Sequence, residues 1–174
     1  MRVVLGLMVA VGCALPLQGS AEEMVVPLAQ SGDWITAAHR TSITAAYDAC
    51  LTTNLASGVA FRIDRESILM RVSDRSWSLP AGVTGSVSVQ IGDWKETFPI
   101  GGNDSTMVDV VLSPSVAVKI FDAMDKASAM TVAVGKAKPI QVSLSGSTRA
   151  TNAFRTCGGM PGSKSGAPGS NPFE

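Results

Sequence analysis

The chain has 174 residues, of which 45% are hydrophobic and only 16% are charged. This length is enough for one domain with a sizeable core, and the charged share lies below the usual quarter. Lys plus Arg equals Asp plus Glu at 14 each, and aromatic residues make up 5%, so the sequence lacks both the basic excess and the stacking platforms of a nucleic-acid-binding protein.

The first 21 residues have the pattern of a secretory signal peptide. Arg2 precedes an apolar run over residues 3–14, and small residues at 19–21 suit signal peptidase. The run is shorter than the roughly 20 residues that a membrane-spanning helix needs. A lipoprotein signal using Cys13 is the alternative. We expect export, cleavage near Ala21, and a periplasmic or secreted protein without a membrane span after cleavage.

Next along the chain we expect a partly ordered leader over residues 22–31, a single β-rich domain over residues 32–159 and a flexible tail over residues 160–174. The tail is rich in Gly, Pro and Ser. Within the domain, polar and apolar residues alternate with the period of a strand, and turn residues separate the stretches. These stretches are VAFRI, SILMRVS, SVSVQIG, WKETFPI, MVDVVLS, MTVAVG and IQVSLS. The motif GDW, at 32–34 and 92–94, indicates two similar turns that enter strands.

Two amphipathic helices are predicted near the C-terminus. In SPSVAVKIFDAMDKAS, Ser113 is in position to cap the helix and Pro114 to be its first residue. In STRATNAFRTC, Ser147 is the predicted cap and Cys157 belongs to the apolar stripe. The sequence therefore predicts a mainly β (α+β) fold, in which antiparallel, sandwich-like sheets carry two packed helices.

Two cysteines, Cys50 and Cys157, remain after the expected signal cleavage. In an oxidising compartment they have one intramolecular pairing. Closing so long a loop would stabilise the fold by about 4–5 kcal/mol in the chain-entropy model. Two buried free thiols are the alternative, and we expect the disulfide.

The sequence contains few groups suited to catalysis. His39 is the only histidine, and a hydrolase would need folding to bring it to an acidic partner. The G-x-S-x-G elbow of serine hydrolases does not occur in the sequence. With one histidine and no C-x-x-C, we expect neither a metal site nor a cofactor.

Two groups of residues are candidates for binding. The first is a contact surface, for which a solvated face is the alternative, and it comprises Trp77, Arg71 and Arg75. The second is an anion site at the start of the last helix, where backbone N–H groups and the helix dipole point outward. It comprises Ser147, Thr148 and Arg149. Many helix starts have such a sequence without binding an anion.

The order of several short motifs resembles the invasion-associated locus B family of exported bacterial proteins. The matching pieces are Trp34, the turn at residues 79–83 and the strand–glycine–helix segment at residues 146–154, within residues 31–157. The resemblance implies a small, mainly β domain that Gram-negative bacteria export and for which no enzymatic activity is known. The family is named for a role in host-cell entry. This chain departs from the family because it has no cysteine between Cys50 and Cys157.

The predicted function is that of an exported, non-enzymatic envelope protein. Its partner would be another protein or an envelope component, bound through sheet edges, loops or the tail. One alternative is a small periplasmic hydrolase that uses His39. Another is a small-ligand carrier, which would need an apolar cavity between sheet and helices.

Overall fold

A computed structural model describes residues 24–161, which form eleven strands and two helices. The strands are β1 (Met24–Ser31), β2 (Trp34–Arg40), β3 (Ala49–Asn54), β4 (Val59–Asp64), β5 (Ile68–Ser73), β6 (Ser86–Ile91), β7 (Trp94–Pro99), β8 (Gly102–Asn103), β9 (Met107–Leu112), β10 (Ala129–Val134) and β11 (Ile140–Ser143). The helices are α1 (Pro114–Met124) and α2 (Ser147–Cys157).

The strands form two antiparallel sheets. The larger sheet has seven strands in the order β1-β2-β3-β4-β5-β9-β8, and the smaller has four in the order β11-β10-β6-β7. After β5 the chain leaves the larger sheet, builds the β6–β7 hairpin of the smaller one, and returns as β8 and β9. This architecture confirms the predicted mainly β fold with two packed helices.

Both GDW motifs lie at two-residue hairpin turns. Gly32 has a φ of +58° between β1 and β2, and Gly92 has a φ of +56° between β6 and β7. A positive φ at the first turn residue matches the right-handed twist of hairpin strands, and glycine adopts it without steric cost. The tryptophans that follow open the next strand; Trp34 is fully buried, and Trp94 packs against the core.

The core contains the inner faces of both sheets and one side of each helix. In β6 the alternate apolar residues from Val87 to Ile91 are buried, as the period of two predicts. Three aromatic rings join the layers. Phe121 of α1 packs edge-on against Phe61 of β4 and Phe154 of α2, with ring centroids 5.0 and 5.5 Å apart.

The two helices begin differently. Ser113 caps α1 as predicted, because its hydroxyl accepts a hydrogen bond from the backbone N–H of Val116. At α2 the predicted cap is wrong. Gly146, with a φ of +84°, occupies the cap position, and Ser147 is already a buried residue of the first helical turn.

The folded domain begins before residue 32, so the predicted leader is corrected over residues 24–31. These residues form the edge strand β1, which pairs with β2. A proline is unusual in a strand, but an edge strand tolerates it, and the register shifts between Pro27 and Ala29. The predicted signal peptide, residues 1–21, lies outside the described residues.

The domain also extends past residue 159. Met160, predicted as the first residue of the flexible tail, is buried in the core, and its N–H donates to the carbonyl of Arg155. The tail from residue 162 onward lies outside the described residues. Between residues 24 and 161, no helix has both the length and the apolar character that crossing a membrane requires.

The predicted disulfide is present and joins α2 to the larger sheet. Cys50 of β3 is bonded to Cys157, the last residue of α2, and their Cα atoms are 6.1 Å apart. A buried hydrogen bond ties the same two layers near the middle of the helix, where Thr36 Oγ1 of β2 donates to the carbonyl of Ala150 at 2.8 Å. The final helix is therefore fixed to the sheet covalently and by a buried polar contact.

Candidate functional site

The face of the larger sheet that points away from the core carries a row of apolar side chains. We call this face the outer face. Successive strand pairs place six residues side by side across β1, β2, β3, β4, β5 and β9. This outer row consists of Pro27, Ala37, Leu51, Arg62, Leu69 and Val111. Five of the six are apolar and none is buried.

Several large apolar side chains of the outer face are well exposed to solvent. Val111 is 61% exposed and Leu51 is 41% exposed, and Val25, two residues before Pro27, is 72% exposed. Single exposed apolar residues are ordinary, but a group of them on one face, interrupted here by Arg62, is typical of a contact surface. The outer face is therefore the strongest candidate for binding.

The arginines in and beside the outer row are paired with carboxylates. Arg71 donates from Nε and Nη2 to the two carboxylate oxygens of Asp109, each at 2.8 Å. This bidentate hydrogen bond raises the pKa of Arg71. Arg62 lies 3.2 Å from a carboxylate oxygen of Asp64. Because these charges already have partners, covering them costs less than covering isolated charges.

His39 and Asp48 form a close pair at one end of the outer face. Nδ1 of His39 lies 2.5 Å from Oδ1 of Asp48, and the backbone N–H of Asp48 donates to the carbonyl of His39 at 3.0 Å. The hydrogen bond from His39 is the largest influence that lowers the pKa of Asp48. The sequence predicts an acidic partner for His39 but does not identify it as Asp48. The signal was present, because a hairpin brings the last residues of β2 next to the residue before β3.

The pair lines a shallow cavity of about 550 Å3 in the outer face, together with Val25, Leu51 and Arg71. The lining drawn from the described residues holds no hydroxyl group, and its one cysteine, Cys50, is in the disulfide. In residues 24–161, no three side chains of the metal-ligating types come together as a possible metal site.

The three predicted contact residues do not form one site. Arg71 lies on the outer face, whereas Trp77 is half-buried and lines a second cavity of about 280 Å3. Arg75 is exposed and lines neither cavity. The three residues are close in the chain, but Trp77 follows β5 in the connection to β6 and lines its cavity together with Val108 of β9 and Val134 of β10.

The predicted anion site lies where α2 meets the β1–β2 turn. Thr148 and Arg149 are exposed, but Ser147 is buried, and its Oγ has no hydrogen-bond partner within the described residues. The backbone carbonyl of Ser31 lies against Gly146, and this oxygen would repel an anion placed there. Anion binding at this helix start stays a prediction.

No family model matches this chain, and no curated protein or solved structure matches it either. The resemblance to the invasion-associated locus B family stays a prediction from short motifs.

Proposed function

We propose that this chain is an exported, non-enzymatic protein that binds another protein through the outer face of its larger sheet. The observation that carries the proposal is the outer row, in which five of six cross-strand neighbours are apolar and none is buried. A row of this kind offers apolar area that a partner can remove from water.

The dimensions of the outer row suit a protein surface better than a small molecule. Neighbouring strands lie about 4.8 Å apart, so a row across six strands spans roughly 24 Å. Stable protein–protein interfaces bury about 800 Å2 on each partner, which a surface of this width can supply. The paired charges of Arg71 with Asp109 provide the polar rim that such interfaces commonly have.

Export is supported by two independent observations. The Cys50–Cys157 disulfide is of a kind that persists in oxidising compartments. The sequence of residues 1–21 has the pattern of a signal peptide. Together they support a periplasmic or secreted location. Signal cleavage is tested by measuring the mass of the protein purified from its own cells, which should lack residues 1–21.

The binding proposal is tested with two outer-face variants and a matched control. Leu51→Arg and Val111→Arg place a charge in the outer row, whereas Gln90→Arg adds the same charge to an exposed position of β6 in the smaller sheet. A partner is captured from envelope extract by crosslinking and then purified. The dissociation constant of the complex between this partner and the protein should rise more than tenfold with each outer-face variant. It should stay unchanged with Gln90→Arg.

Equal binding by all three variants would contradict the proposal. So would retention on purified cell-wall glycan with no protein partner, because the occupant would then be an envelope polymer. Light scattering measures the mass of the wild-type protein in solution, and this mass shows whether a second copy of the chain occupies the outer face. A dimer that Leu51→Arg converts to a monomer would make self-association the function of the outer face.

A second candidate function is hydrolysis with His39 as the general base. The 2.5 Å contact with Asp48 beside the 550 Å3 cavity favours it, because an acid fixes the tautomer and orientation of a catalytic histidine. The described lining contains no side-chain nucleophile, so water would attack. Loss of turnover in His39→Ala on an ester and amide panel, with unchanged stability, would support this candidate. A wild-type protein without turnover would rule it out.

A further inference from the structure

The cavity lined by Trp77 lies between the two sheets, under the connection from β5 to β6. We call it the Trp77 cavity. Val108 of β9 contributes to it from the larger sheet and Val134 of β10 from the smaller sheet. Trp77, Leu79, Val83 and Ile100 add further apolar side chains to the lining. The lining is therefore mostly apolar, and its position at the sheet ends differs from the sheet–helix position that a carrier was expected to use.

Hydrogen bonds hold the wall of the Trp77 cavity in place. The backbone N–H of Leu79 donates to the carbonyl of Ser105 at 2.9 Å. Asn103 uses both ends of its amide: Nδ2 donates to the carbonyl of Pro80 at 2.8 Å, and Oδ1 accepts from the N–H of Val83 at 3.2 Å. A wall fixed on both sides of Pro80 needs little reordering when a ligand enters, and preorganisation of this kind favours affinity.

The volume of the Trp77 cavity limits the size of its ligand. About 280 Å3 is roughly twice the engineered apolar cavity of about 150 Å3 that binds benzene. A ring system of one or two rings, or a short alkyl chain, fits this space. The indole of Trp77 adds an aromatic wall on which a ring or chain can pack.

The mouth of the Trp77 cavity determines the polar part of the ligand. Lys136 is the one charged residue in the lining, and it is exposed and forms no ion pair with another residue in the 24–161 range. An ammonium group at the mouth of an apolar cavity complements an anionic head on an apolar body. We propose that the Trp77 cavity binds a small amphiphilic anion, such as a short-chain carboxylate, independently of protein binding at the outer face.

Octanoate is the probe, and the neutral octan-1-ol of equal chain length is its control. In the wild-type protein, octanoate should shift the indole N–H resonance of Trp77 in a 1H–15N spectrum. The corresponding resonance of Trp34 should stay in place, because its Nε1 donates to the carbonyl of Ser143 at 2.9 Å inside the core. An octanoate titration that leaves the Trp77 resonance unmoved would overturn the proposal.

Three variants separate charge from cavity shape. Lys136→Gln should weaken octanoate binding about two- to fivefold, as expected for one exposed ion pair, and leave octan-1-ol unaffected. Lys138→Gln is the matched control, since Lys138 is exposed two residues away and does not line the cavity. Val83→Phe fills the cavity and should reduce binding of both probes more than tenfold.

Equal losses in Lys136→Gln and Lys138→Gln would refute the assignment of the head group, because only net charge would then matter. Undiminished binding by Val83→Phe, with an unchanged thermal midpoint, would refute the cavity itself. Should Val83→Phe fail to fold, the shift of the Trp77 indole resonance in the wild-type protein alone decides whether octanoate binds in the cavity. Leu51→Arg on the outer face should bind octanoate as the wild type does, so this proposal and the protein-binding proposal fail separately.

Discussion

His39 and Asp48 hold the end of the β2–β3 connection through two contacts, one between side chains at 2.5 Å and one between backbones at 3.0 Å. The hydrogen bond from His39 lowers the pKa of Asp48 from its ordinary value of 3.8. A carboxyl group with a lowered folded-state pKa stabilises the fold above its unfolded-state pKa. That contribution disappears as the pH falls through the folded-state pKa.

We predict that His39→Ala makes the free energy of unfolding less sensitive to acid. The wild-type protein should lose the contribution of Asp48 below about pH 4, whereas the variant has already lost it. Urea unfolding at a series of pH values between about 5 and 2 measures the difference. Asp64 and Asp74 also have pKa values lowered by their own hydrogen bonds. Because both residues remain in the wild type and in the variant, their contributions to the pH dependence cancel in the comparison. Parallel curves for the two proteins would contradict the prediction.

The start of α2 and the β1–β2 hairpin meet backbone to backbone. Gly146 has a φ of +84°, and a Cβ at this position would collide with the carbonyl group of Ser31. From the other side, a Cβ on Gly32 would lie 3.0 Å from the carbonyl oxygen of Ser145. Two glycines therefore permit a close approach that no larger residue would allow. This contact places α2 on the strands to which the disulfide also ties it.

We predict that Gly146→Ala lowers the free energy of unfolding by more than about 2 kcal/mol. The left-handed backbone alone costs an L-residue about 1–2 kcal/mol, and the shift of Ser31 adds to it. Gly92→Ala is the matched control. Gly92 also has a positive φ, +56°, but its added Cβ would meet no atom within 4 Å, so only the backbone cost should appear. Chemical denaturation of both variants measures the difference, and equal losses would contradict a direct contact.

The fold as a whole depends on one long-range crosslink. The disulfide joins residues 107 positions apart and connects β3 near the start of the domain to the last residue of α2. Most of the chain, including both strands of the β6–β7 hairpin and all of α1, lies within the loop that it closes. Its effect therefore falls chiefly on the unfolded chain, whose conformations it restricts.

We predict that Cys50→Ala combined with Cys157→Ala lowers the free energy of unfolding by about 4–5 kcal/mol, the chain-entropy value for a loop of this length. Guanidinium unfolding of the double variant and of the oxidised wild type gives the difference. Wild-type protein reduced with dithiothreitol should match the double variant. Thiol labelling that finds both cysteines reactive in the native wild-type protein would contradict the crosslink.

Much of the secondary structure could be predicted because its signals are local. The alternation in β6, the cap at Ser113 and the glycine turn in each GDW motif depend on residues close together in the chain. The strand β1 is not among the predicted stretches, and its proline argues against a central strand. Only its place at the edge of the sheet, which is a tertiary property, makes Pro27 acceptable.

The candidate sites could be predicted only in part. His39 was identified from the sequence, but its partner Asp48 was not, and Trp77 was identified without its cavity. The outer row could not be predicted, because it arises from the pairing of six strands in one register. Shifting one strand by a single residue would turn Leu51 or Val111 toward the core.

From the amino-acid order alone follow the mainly β class, the two amphipathic helices and the identity of the two paired cysteines. These properties depend on periodicity, capping and cysteine number, which short-range chemistry controls. The tertiary structure decides the features that depend on contacts between residues far apart in the chain. Arg155 is an example, since it is only 2% exposed and its Nη2 donates at 2.9 Å to the carboxylate of Asp122, which lies on the other helix. The outer row and the Trp77 cavity have the same origin, because each is assembled from strands and loops that meet only in the folded protein.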